Sequence, residues 1–173
     1  MDKNFIDYKN VLIVGNGFDL NLGLKTSYSD YLNSKIFKSI KNNSLAEYLE
    51  AHSKTSRWID IEKELYEYST HLFWKLGSTF NPIMGKENLI KYLRHNYYEI
   101  CYSLRKYLIE ATNCTIELDN KAAYNIISKV FTSNLYTYIL TFNYTEIIER
   151  IQQLYFPSCN KYYINHIHGS LHS

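Results

Sequence analysis

The chain has 173 residues, 46% hydrophobic and 21% charged, with a net charge of +2. This composition provides for a globular core and excludes a disordered chain. The near-neutral charge, with basic residues scattered rather than striped, argues against a nucleic-acid partner. The 18 tyrosines fit an AT-rich coding bias better than a base-stacking surface. Three cysteines, Cys101, Cys114 and Cys159, are odd in number and lack CxxC spacing. That excludes a zinc ribbon and argues against a disulfide framework. The opening MDKNFIDYKN has no apolar signal region, and no run of about 18 apolar residues follows. The expectation is a reducing, cytoplasmic protein without a membrane span.

Residues 1–9 read as a polar lead-in, and 10–14 as a buried strand running into Gly15-Asn16-Gly17. Glycine allows close backbone approach, so this loop is expected to hug a phosphate, a ribose or a packed helix. A strand, a glycine loop and a helix open many nucleotide-binding units. Here the third glycine of the dinucleotide fingerprint is replaced by Leu20. Thr26-Ser27 predicts a capped helix from Tyr28 to about Ile40, with Asp30 in its first turn. A loop over 41–44 and a short helix over 45–52 follow. Trp58, Ile61, Leu65, Tyr68 and Leu72 recur at helical spacing, and Gly77 to Gly85, with Pro82, reads as a break. Lys86 to Ala111 is the longest helix, its buried stripe marked by Leu89, Leu93, Tyr97, Ile100, Leu104 and Leu108. Residues 113–119 are a loop or a brief edge strand, and 120–131 a helix. Thr137–Phe142 is the second strand, followed by Asn143-Tyr144-Thr145 and a helix from about Glu146 to Tyr155, stopped by Pro157. Tyr162–Ile167 is the third strand and ends in His168-Gly169-Ser170.

Three strands alternating with helices predict a parallel α/β sheet, with a helical insertion at about 28–133 between the first and second strands. In such sheets ligands sit at the carboxyl ends of the strands. GNGFD, NYT and HGS all fall at that edge. Each candidate has a rival reading. Asn143 holds a ligand or caps the next helix. His168 is a base or a structural histidine. Asp19 binds ribose hydroxyls or ties down the loop. Asp60 and Glu62 support the site as acids or are solvated or capping residues. His166, His168 and His172 invite a metal, with His166 and His168 on one strand face. No carboxylate or cysteine cluster adjoins them, so no metal is expected.

GNGFDLNLGLKTSY, the WIDIE of Trp58–Glu62, the TFNYT of Thr141–Thr145 and the IHGS of Ile167–Ser170 resemble the phage abortive-infection AbiH family. They are more distantly similar to the sirtuin-like NAD-binding fold. The resemblance implies one Rossmann-like domain over 1–173, antiviral defence, a phage-derived trigger protein, and binding and hydrolysis of NAD. It implies that Gly15, Asn16, Gly17, Phe18, Asp19, Thr145, Gly169 and Ser170 hold the nucleotide. Asn143 would orient a ribose or a water, and His168 would act as the base. Cleaving a nicotinamide–ribose bond builds oxocarbenium character on the sugar. A neutral amide holds hydroxyls without competing for protons, and a histidine near neutrality accepts one. Such base assistance is worth about 10²–10⁴-fold in rate. The alternative is a non-catalytic subunit that holds a nucleotide or a partner.

The chain departs from the sirtuin pattern in lacking paired cysteines after HG, which argues against protein deacylation. It stops three residues after HGS, so the sheet is expected to be incomplete at the C-terminus. Three strands leave unpaired edges, and a homo-oligomer or a second chain is expected to cover them.

Overall fold

The computed structural model describes residues 7–53, 63–70 and 86–171. Among them are three strands, β1 (Asn10–Val14), β2 (Thr137–Thr141) and β3 (Tyr162–His166). They form one parallel sheet in the order β1-β2-β3, with Val14 beside Thr141 and Thr141 beside His166. The helices are α1 (Gly17–Asn21), α2 (Tyr28–Asn33), α3 (Lys35–Lys38), α4 (Ser44–Ser53), α5 (63–70), α6 (Lys86–Thr112), α7 (Ala122–Thr132) and α8 (Ile147–Tyr155). The chain divides into two compact units. One joins residues 1–26 to 108–173 and holds the sheet; the other is 27–107.

In the sheet unit, successive strands step across the sheet in one direction. Right-handed crossovers then place their helices on one face. Val14 and Ile139, with the partly buried Leu12, Tyr162 and Ile164, pack there. Against them lie Ala123, Ile127 and Phe131 of α7 and Ile147, Ile148 and Ile151 of α8. Ile127, Ile139 and Ile151 are wholly buried. Each such side chain stabilises the fold by about 1.5–3 kcal/mol relative to exposure. The opposite parity of the strands carries Val11, Ile13 and Tyr163, which are 64%, 66% and 50% exposed. A doubly wound Rossmann sheet reverses direction to cover both faces. The described strands do not reverse, so the architecture is mixed α/β with a three-stranded parallel sheet. Residues 113–119 form no strand, although Ile116 and Leu118 are buried in this core.

The 27–107 unit has its own core, with Tyr31, Leu32, Phe37, Leu45, Leu49, Tyr68 and Ile100 buried. The helix expected from Tyr28 to Ile40 is two helices. Ser34 adopts an extended backbone and its hydroxyl accepts from Phe37 N–H, starting α3. Ser27 caps α2 with Asp30 in a reciprocal capping box. On α6, Tyr97 is exposed and Asn96 is buried in its place. The apolar residues alone marked the wrong edge of the stripe, because Asn96 is polar yet buried: its amide donates to Ser44 Oγ at 2.9 Å, while its Oδ1 has no hydrogen-bond partner. Tyr68 is buried on α5, whereas Trp58, Asp60, Ile61, Glu62, Leu72, Gly77, Pro82, Gly85 and His172 lie outside the described residues. The side chain of Leu89 also lies outside them.

Candidate functional site

Because the strands are parallel and in register, the segments after Val14, Thr141 and His166 leave the sheet at one edge. Main-chain bonds join them there. Phe142 N–H donates to Val14 O at 2.9 Å, Ile167 N–H to Thr141 O at 2.9 Å, and Leu171 N–H to Tyr144 O at 3.0 Å.

Asp19 is at the centre of this edge. The short helix α1 ends in a Schellman turn: Gly23 N–H donates to Leu20 O, and Leu24 N–H to Asp19 O. That turn needs a left-handed residue, which Gly23 supplies at φ 83°. It fixes α1 so that the Asp19 side chain points inward, only 1% exposed. Asn143 Nδ2 donates to its Oδ1 at 3.0 Å, and Thr145 Oγ1 to its Oδ2 at 2.5 Å. Burial pushes the Asp19 carboxyl up to about 6, against the pull of these two donors and with help from the Glu149 charge.

Asn143 does not cap α8. Glu146 stands at that helix start without a side-chain cap, while the buried Asn143 amide is turned to Asp19. Its Oδ1 is buried with no hydrogen-bond partner. The main-chain oxygen of Asn143 lies 3.1 Å from His166 Nδ1, and His166 Nε2 lies 2.7 Å from Glu149 Oε1. Glu149 Oε2 is a second buried oxygen with no partner. For His166, burial lowers the pKa, but the hydrogen bonds to Glu149 and Asn143 and the charges of Glu149 and Glu146 outweigh it and leave it raised.

The remaining sequence candidates divide. Asn16 spends both ends of its amide on Thr26: Nδ2 donates to Thr26 O at 3.2 Å, and Oδ1 accepts from Thr26 Oγ1 at 2.8 Å. Phe18 packs on the sheet core. Gly15 and Gly17 are exposed, and a Cβ on either would meet nothing within 4 Å. They line a cavity of about 390 Å³ with Phe18 and Asn21. Gly169 takes φ 80° in the turn closed by its N–H to His166 O, and Ser170 is half-buried beyond it. The expectation that His166 and His168 share a strand face is corrected, because β3 ends at His166. His168 is exposed in the following turn, its ring 5.7 Å from Phe142 and 5.8 Å from Tyr144. Among the described residues no three His, Cys, Asp or Glu side chains are grouped to hold a metal.

Sequence reasoning misses Glu149 and weighs His166 only as a metal ligand. The strand alternation Tyr162, Ile164, His166 is the available signal, since it points His166 at the helix-covered face. Glu149 and Glu146 also line a cavity of about 490 Å³, with Thr112, Asn113, Arg150 and Leu171. Arg150 donates to Thr112 O and Cys114 O across this region. A third cavity, of about 360 Å³, opens at the other end of the strands, beside Ser133, Asn134 and Lys161.

Among the described residues no helix is long and apolar enough to cross a membrane. The family model for bacteriophage abortive infection AbiH matches residues 11–173. No curated protein and no solved structure matches the chain.

Proposed function

The chain belongs to the bacteriophage abortive infection AbiH family, and from that premise we propose that it binds NAD at the carboxyl ends of its strands and hydrolyses it. The carrying observation is a buried acid, Asp19, held by Asn143 and Thr145 of the loop after β2, beside a glycine loop whose missing Cβ atoms leave open space. Neither backbone conformation nor internal packing calls for glycine at 15 and 17, so an approaching ligand gives them a reason. In this reading Gly15 and Gly17 admit the pyrophosphate, and Thr145, Gly169 and Ser170 border the ribose. Water attacks the ribose carbon, its proton passes to His168, and nicotinamide leaves with the bonding electron pair.

The test is a thermal shift with NAD, ADP-ribose and ATP, followed by nicotinamide release. A ligand at 100 times its Kd stabilises the fold by about 2.7 kcal/mol. Asn143→Ala reduces the shift given by NAD and ADP-ribose. No shift with any of the three overturns the reading.

One observation favours a second reading, a holder without turnover. The Asn143 amide is already engaged with Asp19, and His168 lies outside that network. A holder predicts that His168→Ala leaves the defence phenotype intact; its loss in a folded variant overturns that reading. Self-association through the outer edges of β1 and β3, which pair with no further strand among the described residues, and a phage-derived trigger belong to both readings. A stable monomer at micromolar concentration in gel filtration counts against the first of these.

A further inference from the structure

Both ring nitrogens of His166 face acceptors: the Asn143 carbonyl at 3.1 Å and the Glu149 carboxylate at 2.7 Å. A neutral imidazole carries one hydrogen, and two bonds to acceptors require two. The pair His166–Glu149 therefore holds an extra proton, whichever partner formally carries it. The consequence reaches the ligand edge, because the Asn143 main chain that His166 grips carries the amide that holds Asp19.

We infer that His166 is a positioning residue: its proton clamps the Asn143 main chain, and the strand-end geometry loosens when that proton leaves. The role goes beyond the NAD reading and depends on it only where ligand binding is measured. Glu149 and Glu146 face His166 from α8, and Asn143 from the loop after β2. Thr141, its register partner on β2, does not titrate in this range. Tyr162 shares its face of β3 and feels Glu149. Asp19 of α1 is one hydrogen bond away through Asn143, and also feels Glu149. Since the folded pKa is raised above 6.5, the clamp is complete below that pH and is lost as pH rises through the raised value.

The test follows the His166 ring signals by NMR across pH, assigned with His166→Ala, alongside the Asn143 side-chain amide. In the wild type His166 titrates above pH 6.5, and the Asn143 amide shows that same inflection in addition to the step near 6 that its bond to Asp19 imposes. Glu149→Gln removes the need for the extra proton, because a glutamine N–H can donate to neutral Nε2. In that variant the His166 inflection falls, and the Asn143 amide stops following it. The thermal shift given by NAD or ADP-ribose declines above the inflection in the wild type and stays level in Glu149→Gln. A His166 inflection at or below 6.5, or an Asn143 amide that ignores it, overturns the inference. No shift with either nucleotide at any pH overturns the NAD reading alone, and the NMR signals still decide the clamp.

Discussion

Two buried asparagines, Asn43 of the 27–107 unit and Asn143 of the sheet unit, show how differently the same side chain can be used. Asn43, in the 27–107 unit, is 1% exposed and has every polar atom occupied. Its Oδ1 accepts from Ala46 N–H at 2.9 Å, capping α4, and its Nδ2 donates to Asn96 O and Glu99 Oε2. Asn143, in the sheet unit, is 5% exposed; its amide donates to a carboxyl, and its oxygen has no partner. A satisfied buried amide adds rigidity, whereas a buried acid with orphaned acceptors around it costs stability. The first is what a scaffold needs. The second is the pattern of a site that trades stability for chemistry.

The largest expected effect tests that cost directly. Because burial raises Asp19 from 3.8 to about 6, the native state holds its proton more tightly than the unfolded chain. This carboxyl therefore destabilises the fold progressively as pH rises from about 4 to about 6, and fully above that. Asp19→Asn should stabilise the fold by on the order of 2–3 kcal/mol at pH 8, a gain that vanishes near pH 4, in urea titrations. Equal stability at pH 8 would show that Asp19 is not a burden. Next, Asn143→Ala should cost about 2 kcal/mol at pH 8, where it strips a donor from a charged group, and clearly less at pH 4.5. Asn43→Ala should cost about 1–2 kcal/mol through the lost cap, independent of pH between 5 and 8. Matching pH profiles for the two alanine variants would erase the distinction between the two asparagines. Smallest of all, His168→Ala should change stability by less than about 0.5 kcal/mol, since the ring is exposed. Under the NAD reading it should nevertheless slow nicotinamide release by about 10²–10⁴-fold.

The sheet was legible because its signals are local. Apolar runs ending in GNG, NYT and HGS placed all three strands to within a residue and put their ends together. The long helix α6 and the helix α8 were legible from periodicity and from Pro157. Local signals also misled. Asn143 before a helix looks like a cap, and Asn43 looks like part of a plain loop, yet their roles are exchanged. What separates them is a partner 124 residues away, Asp19, which no neighbouring residue announces. Glu149 and His166, 17 residues apart, meet only because α8 returns across the sheet. HGS points to His168, but the strand pleat turns His166 inward and leaves its neighbour in the turn. Asn96 escaped for the same reason as Asn143: its partner Ser44 is 52 residues away.

The one-directional order of β1, β2 and β3 also has a calorimetric consequence. Val11, Ile13 and Tyr163 are already largely hydrated in the folded protein. Half to two-thirds of their surface is as wet before unfolding as after it, and that share adds little to the heat-capacity increment of denaturation. The sheet face thus flattens the dependence of stability on temperature. Any body that settles on it would sharpen that curvature, and scanning calorimetry would register the covering as a larger heat-capacity step.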